Sequence, residues 1–597
     1  MGAAVWGSCL RRWWVYGVEI CLVWNVVAAV WAGTYSWSGG GDQYWTNPAN
    51  WSGGSVPISN PTTIINFDVT TNPGTSGTPL NQNIANPFQL NGLTFTTNAS
   101  VSYYINGDPL QFVANGATQP TLQNYGASTK YIYNNIQVPA GTTLNMLCNY
   151  YSMEIYGTIT GDGALNIQSP GAGGQWYLRS ANSYTGGTTY TAPNGSGWYY
   201  SQVKVYVSGG LGSGPVRLNG GSTYPWDSRG RPGLAFVGAG TSFSNNFQLL
   251  ADSPIFAEAA NISLSGAVDL SSRTLYLRGQ GSATLSGTIS GTGGITKLDT
   301  GTWTLSGNNT YSGATTVSAG TLLLGHPNAL GTGTSTVQLG DSGTGDNNVA
   351  LLTDVWADHT GAFTISRNIA VNNVGNGTVT IGSNASGAAG KYVVFSGTIT
   401  LNNKDLHLKG VNVDRTTFTG KITGTGNLYI DGPQRITASY NGNDFVGDVF
   451  ITAGTFQIDT GANVIPDTSN VTVASGATLR IWGKSEAING LNGAGTVQVE
   501  YGTTPLTGTL TVGAANGSGT FSGTLRDAGT GVLALLKTGS GTQTLSGNNT
   551  YTGTTTIRAG TLLLGHPNAL GTATSTVQLG DSGTGDNNIA LLTDVWA

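Results

Sequence analysis

Only 9% of this 597-residue chain is charged, so the residues able to do chemistry are few and easily found. The most charged short run is Lys404-Asp405-Leu406-His407-Leu408-Lys409. On a strand, side chains alternate, which puts Asp405, His407 and Lys409 on one face and Leu406 and Leu408 on the other. An Asp beside a His is the minimal general acid–base pair, and Asp414 and Arg415 are expected on the next turn of chain. The competing reading is an ordinary strand with its polar face in water, and it is the one we prefer. A second place is the segment Tyr190–Gly233, which interrupts a repeated unit. Its rings and charges (Trp198, Tyr199, Tyr200, Tyr224, Trp226, Asp227, Arg229 and Arg231) suit a glycan-binding loop, with ring stacking and hydrogen bonding combined. The alternative is that the loop merely packs its rings on the body of the protein.

Gly343-Thr344-Gly345-Asp346-Asn347, repeated as Gly583–Asn587, has the outline of a glycine-aspartate calcium turn. Such a site needs tandem copies, so that adjacent turns share an ion through oxygen ligands. Here the copies stand far apart, and with Asp341 and Asp581 they read as polar turns. His326 and His566 occupy a repeated Gly-His-Pro-Asn turn, where repetition argues for structure. No nucleophile motif, metal-ligand spacing or phosphate loop is present, and no cofactor is expected. Net charge is −5 and the 23 Lys and Arg are thinly scattered, which leaves no footprint for nucleic acid.

The elements that must position these residues are short. Gly supplies 92 residues, without the three-residue period of collagen. Residues 1–32 have the parts of a secretory signal: Arg11 and Arg12, an apolar run, and Val30-Trp31-Ala32 before a cleavage point at Gly33. Glu19 and Asn25 interrupt the run, and an uncleaved membrane anchor is the runner-up. Of the cysteines, Cys9 and Cys21 fall in this segment, so Cys148 cannot form an internal disulfide in the mature chain and reads as a small buried residue. Residues 33–63 hold Trp37, Trp45 and Trp51 among tight turns. They read as an aromatic cap on the end of a core, with a sugar-stacking patch as the alternative.

From residue 64 onward, triplets such as Leu93-Thr94-Phe95, Leu110-Gln111-Phe112 and Leu144-Asn145-Met146 alternate on a period of two between turns. Helix signals are nearly absent. Gly301–Leu339 returns almost unchanged as Gly541–Leu579, and weaker copies centre on Asn182-Ser183-Tyr184 and Asn443-Asp444-Phe445. The copies lie near 174–218, 291–339, 421–473 and 529–579, inside a region running from 64 to 597. Strands this short are unstable alone, so each must pair with strands of neighbouring coils around a shared interior. The expected fold is an all-β solenoid, a parallel β-helix of ~22–28 residues per coil and roughly 100 Å in length. Within a unit, Trp303 and Leu305 are expected on one face and Leu322 and Leu324 on another. Asn308 and Asn309 suit a corner, through left-handed backbone or amide bonding, and Gly313 and Gly320 suit positive φ or close approach.

Gly294-Ile295-Thr296-Lys297 through Leu324, and Leu536-Lys537 through Leu564, resemble the autotransporter-associated β-strand repeat, also called the passenger-associated transport repeat. The Trp37–Pro57 stretch resembles the N-terminal segment of such proteins. The resemblance implies a right-handed parallel β-helix, a passenger-type rod exported by bacteria to the cell surface or beyond, and repeats that assist folding and secretion. Its partners would be an extracellular glycan or a host or cell-surface ligand, and the outer-membrane translocation machinery. An autotransporter is expected to end in a membrane barrel of alternating strands. The sequence instead stops at Ala597, inside the second copy, and reads as a fragment with its C-terminal barrel missing. The expected function is non-enzymatic and adhesive. A polysaccharide lyase or glycosidase is the alternative, and would need acidic or basic groups converging within a few coils.

Overall fold

The computed structural model describes residues 33–169, 173–192, 201–221, 232–354, 361–384, 391–411, 415–459, 463–572 and 575–594, with the backbone alone at 14–15, 18–19 and 503–504. The signal-like segment 1–32, with Cys9 and Cys21, otherwise lies outside them. The alternating triplets are strands whose alternate residues are buried, as at Leu110–Phe112 and Thr143–Cys148. Each strand pairs with its counterparts on the preceding and following coils. Apart from the short antiparallel pair Trp14–Val15 and Val18–Glu19, the strand pairings among the described residues are parallel.

Five long ladders result. Sheet I has 11 strands, from Thr34–Trp37 to Ile289–Ser290, and sheet II has 15, from Leu80–Gln82 to Ile422–Thr425. Sheet III has 4, from Phe88–Leu90 to Ile159–Thr160. Sheet IV has 16, from Ser242–Phe243 to Ile589–Thr593, and sheet V has 11, from Ala362–Ile365 to Val577–Leu579. Early coils visit sheets I, II and III; late coils alternate between sheets IV and V. This is a parallel β-helix, with one continuous apolar interior running from Trp37 to Ala569. No helix among the described residues is long and apolar enough to cross a membrane.

Coil length varies more than expected. Thr302 pairs with Thr321, whereas Val349 pairs with Val379. The longer coil adds a strand of sheet V, Ala362–Ile365, before it reaches sheet II at Ile369–Asn372. The expected division of the repeat into two faces is corrected: Trp303 pairs with Leu322 and Leu305 with Leu324, all in sheet IV. A whole coil closes between them, by way of Thr315–Val317 in sheet II, so the apolar pairs stack on one face. Gly320 has φ +70°, and a Cβ on Gly313 would stand 2.2 Å from the Gly293 carbonyl oxygen. One glycine serves backbone conformation and the other close approach. Asn308 and Asn309 do not take positive φ.

Trp37, Trp45 and Trp51 are buried and pack edge-to-face, with Trp37–Trp51 centroids 5.2 Å apart and Trp45–Trp51 5.7 Å. The Trp51 indole N–H donates to the Trp45 carbonyl at 2.8 Å. Their faces are spent on each other and on Phe67 and Phe88, so no ring remains for a sugar. Cys148 is fully buried, and its thiol donates to the Tyr151 carbonyl at 2.6 Å. Burial pushes that thiol up to about 12, so it is inert.

Candidate functional site

The glycan-loop residues Trp198, Tyr199, Tyr200, Tyr224, Trp226, Asp227, Arg229 and Arg231 lie outside the described residues. What surrounds their attachment points is described. Residues 193–200 lead into Gln202–Val205, and 222–231 lead into Gly233–Phe236, both strands of sheet II.

The outer face of sheet II before these strands is a wall of tyrosines that the sequence reading missed. Ile105, Ile132, Ile155, Leu178 and Val205 point inward and are buried. Their neighbours on either side therefore point out. Cross-coil register aligns Tyr104, Tyr131, Glu154, Tyr177 and Lys204 in one column. Tyr133, Tyr156, Arg179 and Tyr206 follow the inward residues of successive strands and form the next column. Tyr104 and Tyr131 stack at 4.5 Å with planes 7° apart, and Tyr133 and Tyr156 at 4.9 Å and 22°. The Arg179 guanidinium lies 3.8 Å from the Tyr206 centroid and 5.8 Å from that of Tyr156. Lys204 reaches over Tyr177 at 5.1 Å.

Rings stacked along the rod turn their faces to one another and their edges and hydroxyls to solvent. Such a wall recognises by hydrogen bonding more than by ring stacking. Its charges are internally organised: Arg179 donates to Glu154 at 3.0 Å, and the Tyr156 hydroxyl donates to the same carboxylate at 3.0 Å. Burial, reinforced by that bond to Glu154, pushes the Tyr156 phenol up to about 12, so it stays a neutral donor. Glycoside hydrolysis needs two carboxyl groups flanking the bond, and among the described residues no second carboxylate joins Glu154 in the wall.

The other sequence candidates are tied into structure. Leu406 and Leu408 are buried and His407 faces out, but its partner is Asp431 on the next coil, at 2.5 Å from Nδ1. Asp405 accepts from the Asn427 backbone N–H at 2.9 Å. His407 stacks on Tyr429, and Tyr429 on Phe450. The His407 hydrogen bond holds the Asp431 carboxyl below its usual range. Asp414 lies outside the described residues. In the glycine-aspartate turn, Asp341 accepts from the Gly343 N–H at 2.8 Å and from the Ser318 hydroxyl at 2.6 Å. Its counterpart Asp581 pairs with Arg558 through two bonds, at 2.9 and 2.6 Å. Among the described residues no group of three metal-ligating side chains gathers. His326 and His566 accept from the N–H of Asn328 and Asn568, which fixes their turns.

Within the repeated unit, one asparagine joins three coils. Asn309 accepts from the Ile289 N–H at 2.9 Å and donates to the Ala329 carbonyl at 2.7 Å. Asn549 spans Leu525 and Ala569 in the same way, Asn182 spans Ile159 and Gly210, and Asn443 spans Ile422 and Val464. Tyr311, two residues on, is buried with its hydroxyl bonded to that of Thr315, a pairing that recurs at Tyr551–Thr555 and Tyr184–Thr188. Lys297 is buried and donates to the carbonyls of Leu298, Asp299 and Ala319; Lys537 repeats this with Thr538, Gly539 and Ala559. The family model for the passenger-associated-transport-repeat matches residues 173–189, 295–324 and 535–564. The chain carries passenger-associated transport repeats. In each matched segment the repeat asparagine joins coils, and in the two longer ones a buried lysine does so as well.

The chain is also similar to the adhesin BmaC autotransporter of Brucella suis biovar 1 (strain 1330), at 27% identity over 486 residues. That match covers 69% of this chain and 13% of the relative's length. No solved structure matches this chain.

Proposed function

We propose that this chain is part of an exported bacterial passenger that works at the cell surface or outside the cell as an adhesive, non-enzymatic rod. Passenger-associated transport repeats and the likeness to an autotransporter adhesin support the passenger reading. The tyrosine wall carries the adhesive reading: it is an ordered outward array of phenol, guanidinium, ammonium and carboxylate groups beside the insertion points of two aromatic loops. Its ligand is a glycan, whose hydroxyls match phenolic donors and acceptors, and the ring-rich sequences Trp198–Tyr200 and Tyr224–Arg231 are proposed to contribute to binding it. Translocation machinery of the outer membrane is the expected second partner.

The test is a glycan array probed with the whole chain, alongside the triple variant Tyr131→Phe, Tyr133→Phe, Tyr206→Phe. This variant keeps every ring and removes three hydroxyls. The expected result is selective binding by the parent, its loss in the variant at unchanged melting temperature, and no reducing ends or unsaturated products from a polysaccharide panel. Turnover abolished by Asp227→Ala would overturn the reading in favour of an enzyme.

A further inference from the structure

The outer face of sheet V carries a different cluster. Register aligns Tyr392, Arg415 and Arg435 in one column, and Thr417, Thr437, Gln457 and Arg480 in the next. Ile436, Ala438, Phe456 and Ile458 are buried on the inner side of their strands, so Arg435, Thr437 and Gln457 belong to the outer side. The Arg415 guanidinium lies over the Tyr392 ring at 4.6 Å. Arg435 is its direct cross-coil neighbour, one strand spacing of ~4.8 Å along the rod. Among the described residues neither makes an ion pair. Arg480 does: it binds Glu500 at 2.7 Å and lies over Trp482 at 4.3 Å. Asp459 adds its field to Arg480 from the adjoining strand end.

Two observations mark this as a place built for a partner. Like charges directly opposite each other on neighbouring strands are unfavourable, yet Arg415 and Arg435 are held there without a counter-ion. In addition, the Nε atoms of Arg415, Arg435 and Arg480, with Thr437 Oγ1 and Gln457 Oε1, are buried and have no hydrogen-bond partner. Thr437 is 0% and Gln457 3% exposed. Buried polar groups are ordinarily satisfied, and five orphans on neighbouring coils share one need. The donors call for an oxyanion. Arg480 stands two coils beyond Arg435, so guanidinium groups recur along the rod as oxyanions recur along an acidic polymer.

We propose that Arg415, Arg435 and Arg480 form an anion-binding site on the outer face of sheet V that takes the carboxylate or sulfate groups of an acidic polysaccharide. Arg415 and Arg435 share an oxyanion between their planar forks. The site lies on a different sheet from the tyrosine wall and does not depend on it.

The experiment titrates the whole chain with heparin, polygalacturonate, neutral dextran, inorganic sulfate and duplex DNA at two salt concentrations. Binding of an acidic polysaccharide that weakens with salt is expected, with at least a tenfold loss in R415Q/R435Q. No change is expected in the triple tyrosine-to-phenylalanine variant, which separates this site from the adhesive wall. Heparin above polygalacturonate assigns sulfate; the reverse assigns carboxylate. R415K/R435K keeps the charges without the forks and should bind with intermediate affinity, which guards against a misfolded glutamine variant. Absence of acidic-polysaccharide binding, equal affinity in well-folded R415Q/R435Q, or equal binding of dextran, sulfate ion or DNA would each overturn the proposal.

Discussion

Asn309 shows how a polar residue can be a core residue. It is fully buried, and both ends of its amide are used by backbone groups of other coils. Replacing it with Ala strands the Ile289 N–H and the Ala329 carbonyl in the interior, at ~1–3 kcal/mol for each group left unpaired. Asn309→Ala is therefore expected to destabilise by about 2–6 kcal/mol, as is Asn549→Ala, measured by chemical denaturation. A loss no larger than that of an exposed Asn→Ala control would show that the staple is incidental. Glu486 is the opposite case, a buried acid accepting from the Ile465 N–H at 2.7 Å. Burial pushes its carboxyl up to about 8, against the help of the Ile465 and Val464 N–H groups. The folded state thus holds a proton that the unfolded chain releases above its ordinary carboxylate range. Stability should be greatest at low pH and fall between roughly pH 4.5 and 8, by ~1.4 kcal/mol for each pH unit in which the two states differ by a full proton. Glu486→Gln, which preserves the acceptor, should flatten that slope and be the more stable protein at pH 8. Parallel slopes for parent and variant in urea melts at pH 5 and pH 8 would rule this out.

At the scale of strands, the period-two triplets disclosed the elements, and the Gly301–Leu339 duplication disclosed that coils stack. The coil closure was misjudged because nothing local shows that Trp303 returns beneath Leu322, one coil on. The tyrosine wall was present in the sequence as Tyr131-Ile-Tyr133, Glu154-Ile-Tyr156, Tyr177-Leu-Arg179 and Lys204-Val-Tyr206. It went unread because coils of unequal length hide which outward residues become neighbours; register, not composition, creates the wall. The sheet V arginines were hidden for the same reason. Because the wall's rings stack and its hydroxyls face out, its two properties separate under Tyr→Phe substitution. At ~1 kcal/mol per hydrogen bond, the triple phenylalanine variant should lose on the order of 100-fold in glycan affinity. Tyr131→Ser should instead disturb the stack itself and lower stability by about 0.5–1.5 kcal/mol. Isothermal titration and thermal melts on the two variants distinguish the roles, and a triple variant that binds as the parent does would remove the hydroxyls from recognition.

The whole molecule is a one-dimensional stack, and that governs how far any local change travels. Each strand touches its neighbours on the preceding and following coils, so coupling between distant coils must pass through every coil between them. The passenger-associated repeats add side-chain ties across this series: Asn309 joins three coils, and Lys297 ties its own corner to the Ala319 carbonyl of the next. The coil from Val349 to Val379 is longer and is tied differently, by Arg367 to the carbonyls of Leu330 and Ser335 and by Asn372 to that of Gly340. Stability should therefore be graded along the rod, highest at the stapled coils, with denaturation broader than a single two-state transition. Hydrogen exchange read by mass spectrometry tests both statements. In Asn309→Ala, exchange should rise from Ile289 to Ala329 and in the coils directly adjoining. It should stay unchanged across the Tyr104–Tyr206 wall and across Gly541–Leu579, where Asn549 retains its own staple. A uniform rise over the whole chain would mean that the rod unfolds as one cooperative unit, and the repeats would then be spacers in a common core.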